Sequence, residues 1–369
     1  MKITNESFLI SQRIRARAET APIYIPVSEW SYSHHPHLTF FAGRLHAIWS
    51  NGRVNEDDAG QRVMISSSSD FYNWSTPVPL VDTKWGKHSE LVLTAAGFHQ
   101  YNNKLTAYIG QYEYKPEHLE EGKRKQGDHG HQDTTLLALS ADEDMRWGGL
   151  VDLGIPIIPN HGPQKLQSGR LLISGNIMFP YTDELPGLQG WRKSGIYPSV
   201  VADSVVDDSE SFWQIKKLKG WSAGLCEGSF YQLENGTIVM LLRSGTSKLW
   251  STLSEDNGVT WSEPEQTEFS DNNTKFHFGR LSDGRYYYVG SPDPKGSRNP
   301  LVLSLSDDGQ RFDRHYILQD KQEEPKFAGL YKGGQYGYPH SIVHDGFIYV
   351  IYSICKEQIS VTRVRIDSL

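Results

Sequence analysis

One phrase recurs six times along the sequence: a turn containing Gly or Asn, followed by a short apolar or aromatic strand. The copies are separated by 60, 66, 67, 48 and 62 residues, and they centre on Gly43, Asn103, Gly169, Gly236, Gly284 and Gly346. A repeated hairpin at this spacing is typical of the blades of a propeller. The sequence therefore predicts an all-β, six-bladed β-propeller over residues 31–369. Residues 1–30 form an N-terminal segment that closes or precedes it.

A second repeat of the form S-x-D-x-G-x-x-W comes one or two strands later in the unit. The full copy runs from Ser254 to Trp261, and related copies begin at Ser68, Ser140 and Ser306. Ser and Asp can bond the backbone of a turn, Gly permits positive φ, and the aromatic ring fills the gap beside the next strand. We interpret these boxes as structural fasteners of hairpins and not as catalytic groups.

Composition excludes several classes of protein. The chain has 369 residues with 37 Lys and Arg against 44 Asp and Glu, and no basic cluster, which argues against a nucleic-acid partner. No apolar run approaches the ~20 residues of a membrane-spanning helix. Two cysteines, Cys226 and Cys355, are too few for a disulfide framework. The polar first 19 residues show no secretory signal, so we expect a cytoplasmic protein. We also expect no cofactor.

Four residues in the second half have the order and setting of a catalytic group. Glu227 begins one strand, Arg243 ends the next, Arg298 precedes a strand and a box, and Tyr338 precedes the last hairpin. With the boxes, this order resembles the sialidase superfamily over roughly Ser31 to Arg365. The resemblance implies a tyrosine nucleophile (Tyr338) activated by a glutamate (Glu227), and arginines that hold a substrate carboxylate (Arg243 and Arg298).

The residues also make chemical sense together. A free phenol has a pKa of ~10, so Tyr338 needs help to react. Neighbouring guanidiniums would stabilise its phenolate, and Glu227 could accept its proton. Two arginines also present forked donors that match a carboxylate. The alternative is that Glu227 and Arg243 simply pair across adjacent strands.

The first blade departs from the family pattern. The superfamily has an Arg-Ile-Pro phrase where this chain reads Ser33-His34-His35-Pro36-His37, so His34 falls at the position of the first triad arginine. An imidazole does not replace a permanent forked cation, which argues against ordinary sialic acid as substrate. His35 and His37 would share a strand face and could join a metal site, but we favour a polar pocket and predict no metal.

A loop after this blade's second strand carries Glu56, Asp57 and Asp58. It resembles the family's acid/base segment, with Asp57 or Asp58 as the acid, because clustered carboxylates raise one another's pKa. A solvated acidic turn or a cation-binding loop is the alternative. Further residues expected to line the substrate site are His88, His161, His277 and Lys275. Four tryptophans could stack on sugar rings, although core packing is the default for any single one: Trp49, Trp85, Trp191 and Trp221. The charged segment at residues 116–125 is predicted to be a solvated loop.

The leading hypothesis is an exo-acting glycoside hydrolase that removes a terminal sugar, anionic or neutral, from an oligosaccharide. One alternative is a lyase that acts on uronic acids by β-elimination, using His34, His35, Tyr338 and the two arginines. Another is a glycan-binding propeller without activity. All three have a carbohydrate partner.

Overall fold

A computed structural model describes residues 1–5, 8, 14–121, 123–125, 130–196 and 223–369. Within these ranges the chain contains no α-helix, and its principal elements are six sheets that follow one another along the sequence. The described residues include no helix long and apolar enough to cross a membrane. The predicted all-β propeller of six blades is therefore confirmed.

The first three blades occupy residues 32–182. Blade 1 consists of β3 (Tyr32–Phe41), β4 (Arg44–Gly52), β5 (Arg62–Ser68) and β6 (Val78–Val81). Blade 2 consists of β7 (Val92–Tyr101), β8 (Lys104–Tyr114), β11 (His131–Ala141) and β12 (Val151–Asp152). A 3₁₀ turn (Pro116–His118) and a ribbon of β9 (Leu119–Glu120) and β10 (Lys123–Arg124) lie between β8 and β11. Blade 3 has β13 (Gln164–Lys165), β14 (Leu171–Leu172) and β15 (Tyr181–Thr182).

The last three blades occupy the second half of the chain. Blade 4 consists of β16 (Cys226–Gln232), β17 (Ile238–Arg243), β18 (Lys248–Ser254) and β19 (Glu265–Ser270). Blade 5 consists of β20 (His277–Arg280), β21 (Tyr286–Gly290), β22 (Leu301–Ser306) and β23 (Arg314–Gln319). Blade 6 takes β24 (Tyr336–His344), β25 (Phe347–Ile354) and β26 (Gln358–Arg365), and a 3₁₀ turn (Ile366–Ser368) follows.

The N-terminal segment supplies strands to two of these blades. Strand β1 (Ile14–Arg15) pairs in parallel with β23, and β2 (Ala18–Tyr24) pairs antiparallel with β26. The outer strand of blade 6 therefore comes from the start of the chain and the other three come from its end.

The turn of each repeated hairpin joins the first two strands of a blade. All six anchor residues have positive φ, between 56° at Asn103 and 95° at Gly284. Glycine and asparagine tolerate this conformation at little steric cost, which explains why they recur at this position. The boxes lie at the ends of third strands. In the full copy, Asp256 Oδ1 accepts the backbone N–H groups of Val259 and Thr260 and the hydroxyl of Ser254.

The hydrophobic core is a ring of clusters between neighbouring blades. Along β4, Ala47 and Trp49 pack toward blade 6 with Ile351, whereas Ile48 packs toward blade 2 with Leu93. Both faces of a blade are buried, so its strands are apolar on both sides instead of alternating with polar residues. Trp49 is fully buried in this core, so the suggestion that it stacks on sugars is wrong.

Candidate active site

Five of the predicted site residues share an unusual backbone conformation. His35, Asp57, Glu227, Arg298 and Tyr338 have φ values of 51°, 54°, 45°, 57° and 53°. Positive φ is uncommon outside glycine and persists only where the surrounding structure enforces it. Such positions concentrate at functional sites, and these five are also the residues that the sequence places in one.

Bulges in the innermost strands produce part of this geometry. In β3, His35 and Pro36 together oppose the single residue Trp49, and in β24 Tyr338 and Pro339 occupy the equivalent place. A bulge re-aims a side chain and leaves one residue unpaired, so a proline without an N–H is tolerated there. Strand β16 has the same register shift at Glu227. The site that surrounds Tyr338 is called the cup here, and it consists of His34, His35, Glu227, Arg243, Lys275, Arg298 and Tyr338.

Tyr338, Glu227 and Arg243 form one hydrogen-bonded group at the floor of the cup. Arg243 Nη1 donates to the Tyr338 hydroxyl at 3.1 Å and also to Glu227 Oε2. The Tyr338 hydroxyl and the Glu227 carboxylate therefore share one donor, and the hydroxyl lowers the pKa of the carboxyl. Arg243 Nε donates to Asn273 Oδ1 at 2.7 Å, which fixes the plane of the guanidinium. Glu227 and Arg243 do pair across adjacent strands, as the alternative interpretation had it. The same guanidinium also bonds the Tyr338 hydroxyl.

The electrostatics of this group differ from the sequence-based expectation in one respect. Burial raises the pKa of the Glu227 carboxyl, but Arg243 and the Tyr338 hydroxyl outweigh it and lower the pKa to about 2. Burial and the Glu227 charge hold the pKa of Tyr338 well above its usual value, although Arg243 and Arg298 oppose them. The expectation of a stabilised phenolate is wrong for the unliganded site: the carboxylate is ionised and the phenol neutral.

Two further cations flank the Tyr338 ring. Lys275 Nζ and Arg298 Cζ each lie 5.5 Å from the ring centroid. Arg298 Nη1 is buried without a hydrogen-bond partner among the described residues. Burial lowers the pKa of Lys275 to about 7, against the opposing influence of Glu227. The cup therefore contains a guanidinium donor with no acceptor of its own.

His34 and His35 form the wall of the cup beside Tyr338. The ring centroids of His34 and Tyr338 are 4.0 Å apart, and those of His35 and Tyr338 are 5.1 Å apart. Ser353 Oγ donates to the Gly337 carbonyl at 3.3 Å and lies 2.7 Å from His34 Nδ1. His34 Nε2 is buried without a hydrogen-bond partner among the described residues and lies 3.9 Å from Glu56 Oε1. Burial lowers the pKa of both histidines, that of His35 to about 3.

The two aspartates of the acidic segment, Asp57 and Asp58, have different surroundings. Asp58 accepts from Asn55 Nδ2 at 2.8 Å and from the backbone N–H of Arg124 at 3.0 Å. Burial and the neighbouring Glu56 raise the pKa of Asp57 to about 7, although Arg124 and Lys356 oppose them. Glu56 Oε1, on the residue before Asp57, lies 3.9 Å from His34 Nε2, so this loop borders the cup. Asp57 has the properties of a proton donor near neutral pH, and Asp58 holds the loop in shape.

Sequence reasoning missed two cations that organise this loop. Lys356 Nζ donates to Glu56 Oε2 at 2.6 Å and to the Tyr331 carbonyl at 2.7 Å. The other, Arg124, lies in the segment predicted to be a solvated loop, yet it is buried against Tyr331. No local motif marks either residue, because their partners are distant in sequence.

The remaining predicted residues lie away from the floor of the cup. His161 and His277 are buried with their ring centroids 4.5 Å apart, and burial lowers the pKa of both. They belong to a deeper group of histidines below Tyr338. His88 is on an exposed loop where its backbone N–H bonds Glu113, and no described contact joins it to Tyr338, Glu227 or Arg243. Trp85 is also exposed, and Trp221 lies outside the described residues.

Comparison with known protein families gives a clear result. The BNR repeat-like domain family matches residues 43–350 of the chain. This chain belongs to the sialidase/BNR superfamily. The match spans all six predicted turns, so the resemblance noted from the sequence is confirmed at the level of the superfamily. No protein with a curated description matches the sequence significantly.

Solved structures with the same fold are numerous and distant in sequence. A protein described as a sialidase has 16% identity and a TM-score of 0.66 over 96% of this chain, which spans 33% of that protein. The intramolecular trans-sialidase from Ruminococcus gnavus, in complex with oseltamivir carboxylate, has 12% identity and a TM-score of 0.65, covering 95% of this chain and 98% of that one. The Trypanosoma rangeli sialidase, with 2,3-difluorosialic acid as a covalent intermediate, has 13% identity and a TM-score of 0.66, covering 96% and 59%. At these identities the similarity establishes the sialidase-like fold.

Proposed function

We propose that this protein is an exo-acting glycoside hydrolase that removes a terminal anionic sugar from an oligosaccharide. The observation that carries the proposal is the hydrogen-bonded group of Tyr338, Glu227 and Arg243, with Asp57 on the loop that borders the cup. A nucleophile with its own proton acceptor and a separate acid near neutral pKa are the parts that glycoside cleavage requires.

Each residue has one task in the reaction. The Tyr338 oxygen attacks the anomeric carbon while its proton passes to Glu227, and Asp57 gives its proton to the departing glycosidic oxygen. Water then attacks the anomeric carbon, the Asp57 carboxylate takes its proton, and Tyr338 leaves and recovers its own from Glu227. Arg243 contacts both Tyr338 and Glu227, so it stabilises the group whichever of them holds the negative charge.

The unpartnered guanidinium donor supports an anionic substrate. Arg298 Nη1 is buried beside Tyr338 without an acceptor. A buried donor without a partner is costly, and a carboxylate is the acceptor that best matches a guanidinium fork. The neutral His34 next to Tyr338 supplies no charge there. With His34 in place of the first triad arginine, the cup holds a substrate carboxylate with fewer permanent cations than the family pattern provides. The charge pattern therefore favours an acidic sugar other than ordinary sialic acid.

The test is a panel of terminal-sugar oligosaccharides and aryl glycosides, acidic and neutral, read by release of reducing ends. We expect cleavage of one acidic terminal sugar, and Tyr338→Phe should abolish it. Release of internal fragments from a polymer would contradict the exo-acting assignment. Failure of every acidic glycoside would contradict the substrate class.

A lyase acting on uronic acids is a second candidate, supported by the His34 ring 4.0 Å from that of Tyr338, with Nε2 unpartnered among the described residues. In that reaction His34 removes the proton from the carbon beside the substrate carboxylate, and Tyr338 protonates the departing oxygen. Arg298 neutralises the charge of the substrate carboxylate. The product has a 4,5-double bond, so the same panel is also read by ultraviolet absorbance. New absorbance with each chain cleavage supports the lyase and excludes the hydrolase. Glycan binding that survives in Tyr338→Phe, with no cleavage by the unmodified protein, supports a binding propeller instead.

A further inference from the structure

Below the cup lies a group of four histidines that the proposed reaction does not use. His37, His161, His277 and His340 form this lower histidine tier, with ring centroids 4.5 to 5.9 Å apart in the contacting pairs. Three of them follow a cup residue by two positions. His37 follows His35, His277 follows Lys275, and His340 follows Tyr338. The tier is therefore adjacent to the cup along three separate stretches of the chain.

Two members of the tier have ring nitrogens without a hydrogen-bond partner among the described residues. Both ring nitrogens of His37 are buried without a hydrogen-bond partner, and so is Nδ1 of His161. His161 Nε2 lies 3.1 Å from the Phe276 carbonyl, to which only an N–H can donate. His161 is thus fixed in the tautomer whose Nδ1 lone pair faces the tier. A histidine that ligates a metal usually bonds a backbone carbonyl through its other nitrogen in this way.

We propose that His37, His161 and His340 bind a divalent transition-metal ion, with Zn²⁺ as the reference ion. Each offers one ring nitrogen, and the three atoms lie within 4.8 Å of one another. Zinc–nitrogen bonds of ~2.1 Å in a tetrahedral site place the nitrogens ~3.4 Å apart, so shifts of about 1 Å or less complete the site. Three imidazoles without a carboxylate suit zinc, copper or nickel and disfavour calcium or magnesium.

The other two histidines of the tier are less available than His37 and His161. His340 Nδ1 accepts the backbone N–H of Leu38 at 3.2 Å, so metal binding must displace or rearrange this bond. His277 Nδ1 accepts the backbone N–H of Ser341 at 3.1 Å, and its Nε2 faces Gln164. We therefore rank His37 and His161 as the strong ligands and His340 as the weaker third, with His277 outside the first coordination shell.

The ion would connect blades that are far apart in sequence. His37 lies in β3 of blade 1, His340 in β24 of blade 6, and His161 precedes β13 of blade 3. A metal held by all three would cross-link three blades of the propeller. Binding to the folded state alone then raises the melting temperature.

The experiment is calorimetric titration of the EDTA-treated full chain with Zn²⁺, paired with thermal unfolding at each metal ratio. We expect one equivalent to bind and the melting temperature to rise. His37→Ala and His161→Ala should each raise Kd by more than about 100-fold, because even the loss of a residue that only hydrogen-bonds a ligand costs about 10- to 100-fold. His340→Ala should raise it less. His46→Ala is the matched control, because His46 is buried in β4 with Nε2 at the Phe41 carbonyl, and it should bind as the unmodified protein does.

Two results would overturn the proposal: no stoichiometric binding by the unmodified protein, or unchanged affinity in both His37→Ala and His161→Ala. Should those variants fail to fold, Co²⁺ replaces Zn²⁺ in the unmodified protein. Visible absorption bands of tetrahedral, nitrogen-ligated cobalt support the site, and the spectrum of hydrated octahedral cobalt contradicts it. None of these readouts depends on glycoside cleavage, so the metal site and the proposed function succeed or fail separately.

Discussion

The Tyr338 hydroxyl lies 3.1 Å from Nη1 of Arg243, the same nitrogen that bonds Glu227. One guanidinium nitrogen therefore contacts both ends of the proton path between the phenol and the carboxylate. In this arrangement a proton can move from Tyr338 to Glu227 without moving the positive charge that stabilises them. The geometry distinguishes the site from a simple interstrand ion pair, because such a pair does not need a buried tyrosine bonded to the same guanidinium nitrogen.

Replacing the tyrosine separates chemistry from binding. Tyr338→Phe keeps the ring against His34 and removes the attacking oxygen, so we expect kcat to fall by at least about 10²-fold with KM changed little. Initial rates on the substrate identified by the panel measure this. Tyr336→Phe on the same strand is the control, because that hydroxyl bonds the Lys321 carbonyl at 2.9 Å and plays no part in the cup. Equal losses in both variants would point to a structural role for Tyr338.

The two neighbouring aspartates should behave differently. Because the pKa of Asp57 is raised to about 7 and the acid must be protonated, the rate should fall as pH rises through about 7. Asp57→Asn removes this limb and lowers kcat by ~10²–10⁴-fold on substrates with poor leaving groups. Substrates with acidic leaving groups should lose far less, since they need no proton.

Asp58→Asn serves as the comparison for that experiment. Asp58 accepts two hydrogen bonds that hold the loop, so its replacement should lower the melting temperature while the pH-dependent limb remains. A limb that disappears in Asp58→Asn and survives in Asp57→Asn would exchange the two assignments.

Arg298 should determine affinity for the acidic group. Arg298→Lys keeps a positive charge but loses the fork, so we expect KM for the acidic substrate to rise by about 10- to 100-fold, equivalent to ~1.4 to 2.7 kcal/mol. Activity on a neutral analogue with the same leaving group should be unchanged. Arg280→Lys is the control, since Arg280 pairs with Glu234 on the surface. An equal effect on acidic and neutral substrates would show that Arg298 positions Tyr338 and does not read charge.

A buried ion pair beside the cup should matter for stability. Lys332 Nζ lies 2.8 Å from Glu357 Oε1, and each side chain is 3% exposed. Lys332→Met leaves the carboxylate buried without its cation, so we expect a loss of about 3–5 kcal/mol in the free energy of unfolding. The double variant with Glu357→Gln should recover part of it. Lys321→Met, at the exposed pair with Glu323, should cost less than about 1 kcal/mol in the same denaturant titration.

Repeats made the fold predictable from sequence, because each blade carries its own turn and box. The order of Glu227, Arg243, Arg298 and Tyr338 along those repeats also indicated which residues meet. The bulges were not visible, since positive φ at a tyrosine or glutamate leaves no mark in composition. Nor was the pairing of Lys356 with Glu56, which are 300 residues apart. Trp49 takes the default role of core packing, but a strand buried on both faces gives no polar alternation by which the sequence could separate core from cup.

The pairing of β2 with β26 has a consequence for synthesis on the ribosome. Strand β2, the outer strand of blade 6, is made early and has no pairing partner until β26 emerges from the ribosome. Until then the nascent protein exposes an unpaired strand edge at each end of an open ring, and such edges promote association between chains. Completion of the ring therefore waits for β26 to leave the ribosome, and a chain without β26 would leave β2 and one edge of β25 without their pairing partner.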